Sequence, residues 1–493
     1  MNFLPLFVAV PLFLAFLIPV VGQRWKILPD VLGNLTTSFI LILALFTLGT
    51  SGAYAVGGWA PPLGITLVAD GLTNLMLLIV ALISFAVTLY SINYMELYTS
   101  KTRYYALFLL MIAGMNGVIV TGDLFNLFVF LEIASISSYA LVAFGCQYEE
   151  LEASFKYLVL GTLATCFILL GIALLYGIYG TLNLAHLGLL ISESGFPVIT
   201  RCALGLFLVG FGLKAALVPF HSWLPDAHPA APAPISAMLS GVLIKTLGIY
   251  ALVRLLFNVF GFTPLISHIL IILGILSMVV GVFLAIGQWD YKRLLACHSI
   301  SQIGYVFLGI GLGTPLGILA GLFHLINHSV FKSLLFLNAG SVDYNLGIRD
   351  MRKMGGLKEK MPVTGGTSLI GAFSISGLPP FNGFWSKLLI ILACVQAKNI
   401  PAAGWAVLVS IITLSSFTKV QRYVYFGKLK ETLRNVREVP QTMQAAMVLL
   451  AVCCVLMGLL ILPGPKEVLL TPAANALLAG KEGYFNLVFS AFR

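Results

Sequence analysis

The sequence predicts an all-α polytopic membrane protein, and three features indicate this fold class. Of its 493 residues, 59% are hydrophobic and 9% are charged, whereas about 25% of the residues in a soluble domain are charged. The mean hydropathy is +1.01. Apolar runs of about 20 residues, the length that crosses a bilayer as a helix, recur along the chain. So few charges cannot cover a soluble protein of this length, which argues against soluble enzymes, nucleic-acid-binding domains and disordered chains.

The apolar runs number fourteen, and each is predicted to form one transmembrane span. They cover residues 3–21, 30–49, 69–94, 104–121, 124–145, 154–178, 200–218, 233–258, 264–287, 296–312, 314–340, 364–395, 402–427 and 442–462. The first run has no basic segment before it and no cleavage site after it, so we expect a span and not a removed signal peptide. Residues 463–493 are too broken by proline, glycine and charge for a fifteenth span, and leave room for a lateral or interfacial helix.

The distribution of Lys and Arg predicts the orientation of these spans. With the N-terminus outside, the inside connections hold eighteen basic residues: Arg24, Lys26, Lys101, Arg103, Lys156, Lys292, Arg293, Arg349, Arg352, Lys353, Lys358, Lys360, Lys419, Arg422, Lys428, Lys430, Arg434 and Arg437. The outside holds six: Arg201, Arg254, Lys398, Lys466, Lys481 and Arg493. An even number of spans then places both termini on the outer side of the membrane.

Once the charged residues near the span ends are assigned to the connections, five charged residues remain inside predicted spans. They are Glu132, Lys214, Lys245, Lys332 and Lys387. A charge at the bilayer centre costs at least about 2.5–3.5 kcal/mol. Glu132 is nine residues after Asp123, hence about 13 Å deep, and Lys245 is equally central. The alternatives are lysines that snorkel to an interface or static ion pairs that only fix packing. For five charges together we favour a functional role, because snorkelling cannot rescue central positions.

Two of the lysines stand beside sequences that cannot continue a regular helix. Lys214 precedes Pro219, and Lys387 follows the run Gly377-Leu378-Pro379-Pro380-Phe381-Asn382-Gly383. Proline removes a backbone donor, and interrupted helices at membrane depth are tolerated mainly where they line a cavity or a binding site. The sequence therefore predicts a functional site at both interruptions.

His324, His328 and Lys332 recur at intervals of four residues and so share one stripe of a helix. With Asn327 and Ser329 they predict a polar track that conducts protons. The alternatives are a metal site, since histidines at i and i+4 can reach one zinc ion, and ordinary satisfied packing. The glutamate of the HExxH motif is absent, which disfavours zinc. Lys332 lies toward the inner end of its predicted span, where snorkelling is more credible than elsewhere.

The connection at 219–232 contains four prolines and three protonatable side chains. His221, Asp226 and His228 are candidates for an accessory proton path at the inner mouth of the lysine-bearing spans. The alternative is a rigid connector in which proline only sets the geometry. The seven cysteines form no CxxC pair, so we expect no metal cluster and no bound cofactor.

Three motifs resemble those of one known family. They are Thr121-Gly122-Asp123-Leu124-Phe125-Asn126-Leu127-Phe128 leading to Glu132, Phe220-His221-Ser222-Trp223-Leu224-Pro225-Asp226-Ala227-His228, and Gly377-Leu378-Pro379-Pro380-Phe381-Asn382-Gly383-Phe384. The chain resembles the antiporter-like proton-pumping subunits of Mrp-type sodium/proton antiporters, respiratory complex I and membrane-bound hydrogenases. The Gly-Asp-Leu-Phe-Asn run and a lysine at position 387 are most similar to the D-type Mrp subunit.

The resemblance implies an architecture of fourteen spans with two inverted five-helix repeats. The implied divisions are an N-terminal three-span segment (1–103), a first repeat (104–258), a second repeat (264–427) and a last span with its tail (428–493), with interrupted helices at the seventh and twelfth spans. It also implies roles for the in-span residues. Glu132 and Lys214 form a switching pair, Lys245, His324, His328 and Lys332 form the central track, and Lys387 is the outlet.

The function implied is proton translocation, alone or in exchange for sodium, across the cytoplasmic or another energy-transducing membrane. The expected partners are other integral membrane subunits, and no nucleic acid. The acidic cluster Glu149, Glu150 and Glu152 could dock a neighbour, although a solvated loop is the simpler interpretation. Two alternatives stay open: a quinone- or cofactor-binding redox subunit, and a non-pumping structural spacer. A redox enzyme is disfavoured because the chain lacks cysteine motifs, a GxGxxG loop and an extramembrane domain.

Overall fold

The computed structural model describes residues 2–22 and 25–492, so Arg24 and Arg493 lie outside the described residues. Twenty α-helices and one β-hairpin make up most of this part of the chain. The helices are α1 (Leu6–Val21), α2 (Leu28–Phe46), α3 (Gly71–Tyr94), α4 (Lys101–Val120), α5 (Leu124–Val142), α6 (Tyr148–Tyr179), α7 (Leu184–Glu193), α8 (Val198–Lys214), α9 (Leu224–Ala230), α10 (Ala233–Met238), α11 (Ala251–Asn258), α12 (Pro264–Ile286), α13 (Tyr291–Gly311), α14 (Pro315–Leu346), α15 (Pro362–Ser376), α16 (Asn382–Gln396), α17 (Ile400–Val420), α18 (Gln441–Leu456), α19 (Thr471–Leu478) and α20 (Gly480–Ser490).

The predicted class, an all-α polytopic membrane protein, is confirmed. Within the described residues, eleven helices are long and apolar enough to cross a membrane. α8 contains 17 residues and α15 and α16 contain 15 each, so these helices are shorter than a full span. The count of fourteen spans and the two inverted repeats stay predictions.

Both predicted helix interruptions are present. α8 ends at Lys214 and α9 begins at Leu224, with Pro219 between them. α15 ends where Gly377 adopts a left-handed conformation (φ 78°), and α16 begins after Pro379 and Pro380. A left-handed C-terminal residue favours glycine, and proline cannot extend the helix that precedes it. Lys214 is therefore the last residue of its helix, and Lys387 lies in the second turn of α16.

The segment that carries Lys245 is helical from Ala233 to Asn258 but is not a uniform α-helix. π-helical turns cover Leu239–Leu243 and Lys245–Tyr250, between α10 and α11. Every residue of this segment is buried. π-turns are rare, and those that occur are often at functional sites. The backbone geometry therefore indicates a functional role for Lys245 independently of its charge.

Helices α13 and α14 lie at the centre of the bundle. In the apolar stretch of each helix, 100% of the residues of α13 and 94% of the residues of α14 are buried. The corresponding stretches of α6, α12 and α17 are each 39% buried and have exposed leucine, isoleucine and phenylalanine side chains, as expected for helices that face lipid. The polar residues of α13 and α14 are therefore enclosed by protein.

One end of the bundle has structure that the sequence patterns did not predict. β1 (Gly52–Ala55) pairs antiparallel with β2 (Thr66–Ala69), and α7 follows the long helix α6. The Gly-Asp-Leu-Phe-Asn motif lies here: Asp123 caps α5 by accepting from the backbone N–H of Asn126 (2.8 Å). A capping aspartate satisfies one of the free N–H groups at a helix start, so this motif is in part structural. The tail forms α19 and α20.

Candidate functional site

The four in-span lysines are all buried, and none has an ion-pair partner among the described residues. The exposed fractions are 5% for Lys214, 0% for Lys245, 0% for Lys332 and 2% for Lys387. No carboxylate oxygen lies within 4.0 Å of any of their ammonium nitrogens in the described part of the chain. Snorkelling and static ion pairing, the two structural alternatives, therefore both fail to account for these side chains.

The snorkelling interpretation of Lys332 in particular is wrong. α14 continues to Leu346, fourteen residues or about 21 Å past Lys332, so the lysine lies deep inside the bundle. Its ammonium group donates to the backbone carbonyl of Leu295 and lies 5.2 Å from the centre of the Phe336 ring.

Lys214 is held by neutral groups on α5. Its Nζ donates to Ser135 Oγ (2.9 Å) and to Tyr139 OH (3.1 Å). Glu132, three residues before Ser135, lies on the same face of α5 but makes no contact with Lys214 within 4.0 Å, and its buried Oε1 has no hydrogen-bond partner within the described chain. Direct pairing of Glu132 with Lys214 is thus absent from this conformation, although the two residues occupy the same region.

Lys245 lies where two helices approach closely. Its Nζ donates to the backbone carbonyl of Ser240 within the π-helical region, and Ser240 Oγ lies 2.7 Å from Ser299 Oγ on α13. A Cβ atom on Gly248 would lie 2.5 Å from the backbone of Ala215, the residue after Lys214. Glycine at position 248 therefore allows the Lys245 helix to pack directly against the end of α8.

His324 connects three helices. Its Nδ1 lies 2.9 Å from Ser386 Oγ on α16, and its Nε2 lies 3.2 Å from Gln302 Oε1 on α13. Its neighbours Asn327 and Asn382 also join α14 to α16, since Asn382 Nδ2 donates to Asn327 Oδ1 (3.2 Å). Both nitrogens of His324 are committed to side-chain hydrogen bonds, which supports the polar-track interpretation of this stripe.

Lys387 is adjacent to the second interruption. Its Nζ donates to the carbonyl of Ile375 (2.7 Å), in the last turn of α15, and to Ser410 Oγ on α17 (3.3 Å). The same nitrogen lies 4.9 Å from the centre of the Tyr305 ring, and that ring lies 5.4 Å from His324. The interruption after α15 thus provides the carbonyl of Ile375 as an acceptor for Lys387, as expected from their closeness in sequence.

His328 is the least satisfied member of the track. It is fully buried, and neither ring nitrogen has a hydrogen-bond partner among the residues that the structure describes. Its ring centre lies 6.4 Å from that of His324. A buried imidazole without partners is costly, which makes a purely structural role for His328 hard to support.

The structure separates the three residues of the 219–232 connection. His228 is fully buried, stacked on Phe336 at 4.7 Å, and its ring nitrogens have no hydrogen-bond partner in the described chain. Asp226 faces a cavity at the surface and pairs with Lys156 (3.1 Å) and Arg293 (3.2 Å). His221 is half-buried, and its Nδ1 likewise has no partner within residues 2–22 and 25–492. The three residues therefore have different surroundings, and His228 is the one that packs against Phe336, the ring that Lys332 also contacts.

Several buried polar residues were assigned elsewhere or not singled out from the sequence. Lys292, which the sequence analysis assigned to an inside connection, is 2% exposed, and its Nζ lies 3.5 Å from Asp343 Oδ2. Arg254, assigned to the outside, is 2% exposed and forms an ion pair with Asp70. His298 lies within a predicted span, and its Nε2 contacts Ser416 Oγ at 2.8 Å. A histidine inside a span was the available sign for His298.

The acidic cluster is not a uniform docking patch. Glu150 is 9% exposed and forms a capping box with Gln147 at the start of α6. Glu152 pairs with Lys156 (2.8 Å), one helical turn further on. Glu149 alone is exposed without an ion pair within 4.0 Å among the described residues.

Comparison with known proteins identifies the family. The family model described as NADH:quinone oxidoreductase/Mrp antiporter, TM, matches residues 121–418. The chain belongs to this family. Residues 60–105 also match the model for the N-terminus of chain 5 of NADH-ubiquinone oxidoreductase (complex I). The matched region contains Glu132, all four in-span lysines and the two histidines of the α14 stripe.

The relatives of this antiporter-like chain include subunits of at least two kinds of complex. It is 37% identical over 443 residues to NADH-quinone oxidoreductase subunit N of Desulforudis audaxviator, covering 89% of this chain and 88% of that protein. It is 36% identical over 403 residues to the D-type Na(+)/H(+) antiporter subunit of Alkalihalophilus pseudofirmus, covering 82% and 81%. A chain of the Mrp complex from Dietzia sp. superposes with a TM-score of 0.91 at 29% identity, covering 99% of this chain and 98% of that one.

Proposed function

We propose that this chain moves protons, alone or in exchange for sodium, across an energy-transducing membrane as one subunit of a multi-subunit complex. The observation that carries the proposal is the set of four buried lysines without a carboxylate partner in the described chain. Replacing buried charges by apolar residues is often neutral or stabilising, so a structural role does not explain why four are present. Ionisable residues inside a membrane mark ion pathways and proton relays.

In this mechanism proton transfer begins when Lys214 exchanges its hydrogen-bond partners. When Glu132 moves toward Lys214 and displaces the neutral partners Ser135 and Tyr139, the ammonium form is stabilised and the lysine holds its proton. When Glu132 withdraws, the proton moves toward Lys245. Two unit charges about 4 Å apart interact by about 4 kcal/mol at an effective dielectric near 20. That is about a thousandfold change in proton affinity, enough to gate transfer.

The output runs along α14 to the second interruption. From Lys245 the proton would pass to His328 and Lys332, then to His324, and leave through Lys387. The hydrogen bonds of His324 to α13 and α16 and the contact of Lys387 with Tyr305 support the second half of this route. His328 contacts no protein partner among the described residues in this conformation, so transfer there requires a side-chain movement or a bridging water. His221, Asp226 and His228 would form an accessory path at the inner side.

The proposal includes a topology and a repeat organisation. Both termini would lie on the outer side, with a first inverted repeat at 104–258 and a second at 264–427, flanked by segments 1–103 and 428–493. The matching interruptions after Lys214 and before Lys387, one in each repeat, support this division. The relatives named as subunits of larger complexes support partner membrane proteins for this chain.

Transport in membrane vesicles that contain the assembled complex tests the proposal. With equal amounts of complex, Glu132→Ala and Lys214→Ala should each lower the rate of proton movement, followed with a pH-sensitive dye, at least tenfold. Lys360→Ala, an exposed lysine in an inner connection, is the matched control and should leave the rate unchanged. Wild-type rates in both test variants would refute the proposed mechanism and favour the structural spacer.

A further inference from the structure

The helical segment Ala233–Asn258, which carries Lys245, ends in α11, and α11 contains one partner of a buried ion pair. Arg254 NH1 lies 2.6 Å from Asp70 Oδ2, and Arg254 NH2 lies 2.9 Å from Asp70 Oδ1, so the contact is bidentate. Asp70 follows β2 directly and also caps α3 by accepting from the N–H of Thr73 (2.9 Å). A bidentate Arg–carboxylate pair fixes orientation as well as distance, so α11 is held against the start of α3 in a defined register.

The C-terminal tail closes over this pair. Arg254 NH1 donates to Asn258 Oδ1 (3.1 Å), and Asn258 Nδ2 donates to the carbonyls of Ala476 (3.0 Å) and Gly480 (3.0 Å). The guanidinium carbon also lies 5.2 Å from the centre of the Tyr484 ring, on α20. Asn258 therefore links the ion pair to both α19 and α20.

The same helix end is tied to the last turn of α4. Tyr250 OH donates to the carbonyl of Ile119 (2.5 Å), and Arg254 lies 5.4 Å from the Tyr250 ring. Tyr250 is the last residue of the π-helical turn that begins with Lys245. π-turns are rare departures from the α-helix, so we expect the register of this one to depend on anchors outside it.

We propose that Arg254 is a positioning residue for Lys245, and that the tail, residues 471–490, is the clasp that keeps Arg254 in place. Anchoring the helix at Tyr250 and Arg254 sets the rotation and depth at which Lys245 faces α13 and α14. Loss of the clasp lets the π-turn relax and moves Lys245 relative to Ser299 and the α14 stripe. The positioning role rests on the proposed transport function, whereas the clasp itself does not.

Asn258→Asp is the sharpest perturbation of the clasp. The new carboxylate keeps an acceptor for Arg254 but replaces the donor to Ala476 and Gly480 by an oxygen that faces two carbonyls. Asn475→Asp, at an exposed position of the same tail, is the matched control for the added charge. A second variant, Asp70→Asn with Arg254→Gln, removes the pair without leaving a buried lone charge, in case the first variant fails to fold.

Two measurements on the assembled complex distinguish the outcomes. In Asn258→Asp, backbone amide exchange of residues 471–490 should become at least tenfold faster, and the pH of half-maximal transport should shift; the control should show neither change. A purely structural role lowers the amount of transport without moving this midpoint. Unchanged amide exchange overturns the clasp, and faster exchange with an unmoved midpoint overturns the positioning role.

Transport by Lys245→Ala separates this inference from the function on which it rests. Wild-type transport in that variant would contradict the proposed function, while the exchange result for the tail would still decide whether the clasp exists.

Discussion

Lys332→Met tests whether a buried charge in the centre of the bundle is retained for function or for stability. Lys332 is fully buried on α14, contacts no carboxylate within 4.0 Å in the described chain, and donates to the carbonyl of Leu295. Methionine has a similar length and no charge, and its flexible thioether can fill the space beside Phe336. The two hypotheses predict opposite changes in the free energy of unfolding.

The expected size follows from the contacts of Lys332. Burial of an unpaired ion costs several kcal/mol even after relaxation, here taken as about 4 kcal/mol. A hydrogen bond to a charged group returns about 2 kcal/mol. Removing both should stabilise the protein by about 2 kcal/mol, less any small packing loss. If Lys332 carries protons, transport should fall at least tenfold in the same variant.

Unfolding of the purified complex, followed by helical circular dichroism against increasing sodium dodecyl sulfate, measures the first quantity, and dye-based transport in vesicles measures the second. A variant that is less stable and transports normally would show that Lys332 supports packing, and would refute the reasoning. A more stable variant with normal transport would remove Lys332 from the proton route.

Two further predictions concern Lys387 and the connection between α12 and α13. Lys387→Glu places a carboxylate against the carbonyl of Ile375, which in the wild type accepts from the ammonium group. Transport in vesicles should fall at least tenfold, even though the side chain remains titratable. Retention of the wild-type rate would show that Ile375 does not position this residue. Asp290, the cap of α13 in the connection after α12, has a pKa raised by burial. Because the folded protein binds this proton more tightly than the unfolded chain does, its free energy of unfolding falls as the pH rises from the ordinary pKa of 3.8 through the raised pKa. Asp290→Asn keeps the cap, so thermal unfolding between pH 4 and pH 8 should show the variant gaining stability over the wild type as the pH rises; a constant difference would contradict this.

The positions of the helix interruptions and of the four in-span lysines were predictable from local sequence. Proline forbids a continuous helix wherever it stands, and a charge inside an apolar run has few places to go. The depth of Lys332 was not predictable in this way. Asn338 and Ser341 lower the local hydropathy after it, yet Asn338 Oδ1 accepts from Thr367 (2.8 Å) and Ser341 Oγ contacts Tyr90 OH (3.1 Å). These contacts join distant segments, and they keep α14 buried on both sides of Lys332, as far as Val342.

The partners of Lys214 illustrate the same limit at one site. Glu132, Ser135 and Tyr139 are spaced by three and four residues, so the sequence places all three on one face of α5. Which of them contacts Lys214 depends on the tilt and rotation of α5 against α8, and helix packing of this kind leaves no local pattern. Arg254 and Asp70 are likewise 184 residues apart, and only the folded chain brings them together.

The imbalance between Glu132, the one carboxylate predicted deep inside a span, and the four in-span lysines limits how charge can move through the chain. Glu132 can stabilise one ammonium group at a time, and in this conformation it stabilises none of the four by direct contact. Burial makes each unpaired ammonium group costly, and like charges repel one another, so protonation of one lysine disfavours protonation of the next. Under the proposed mechanism, pairing at Lys214 therefore affects Lys245 and the α14 stripe through charge. In that mechanism a displacement of Glu132 starts the transfer, and its completion toward Lys387 requires a further local change at His328.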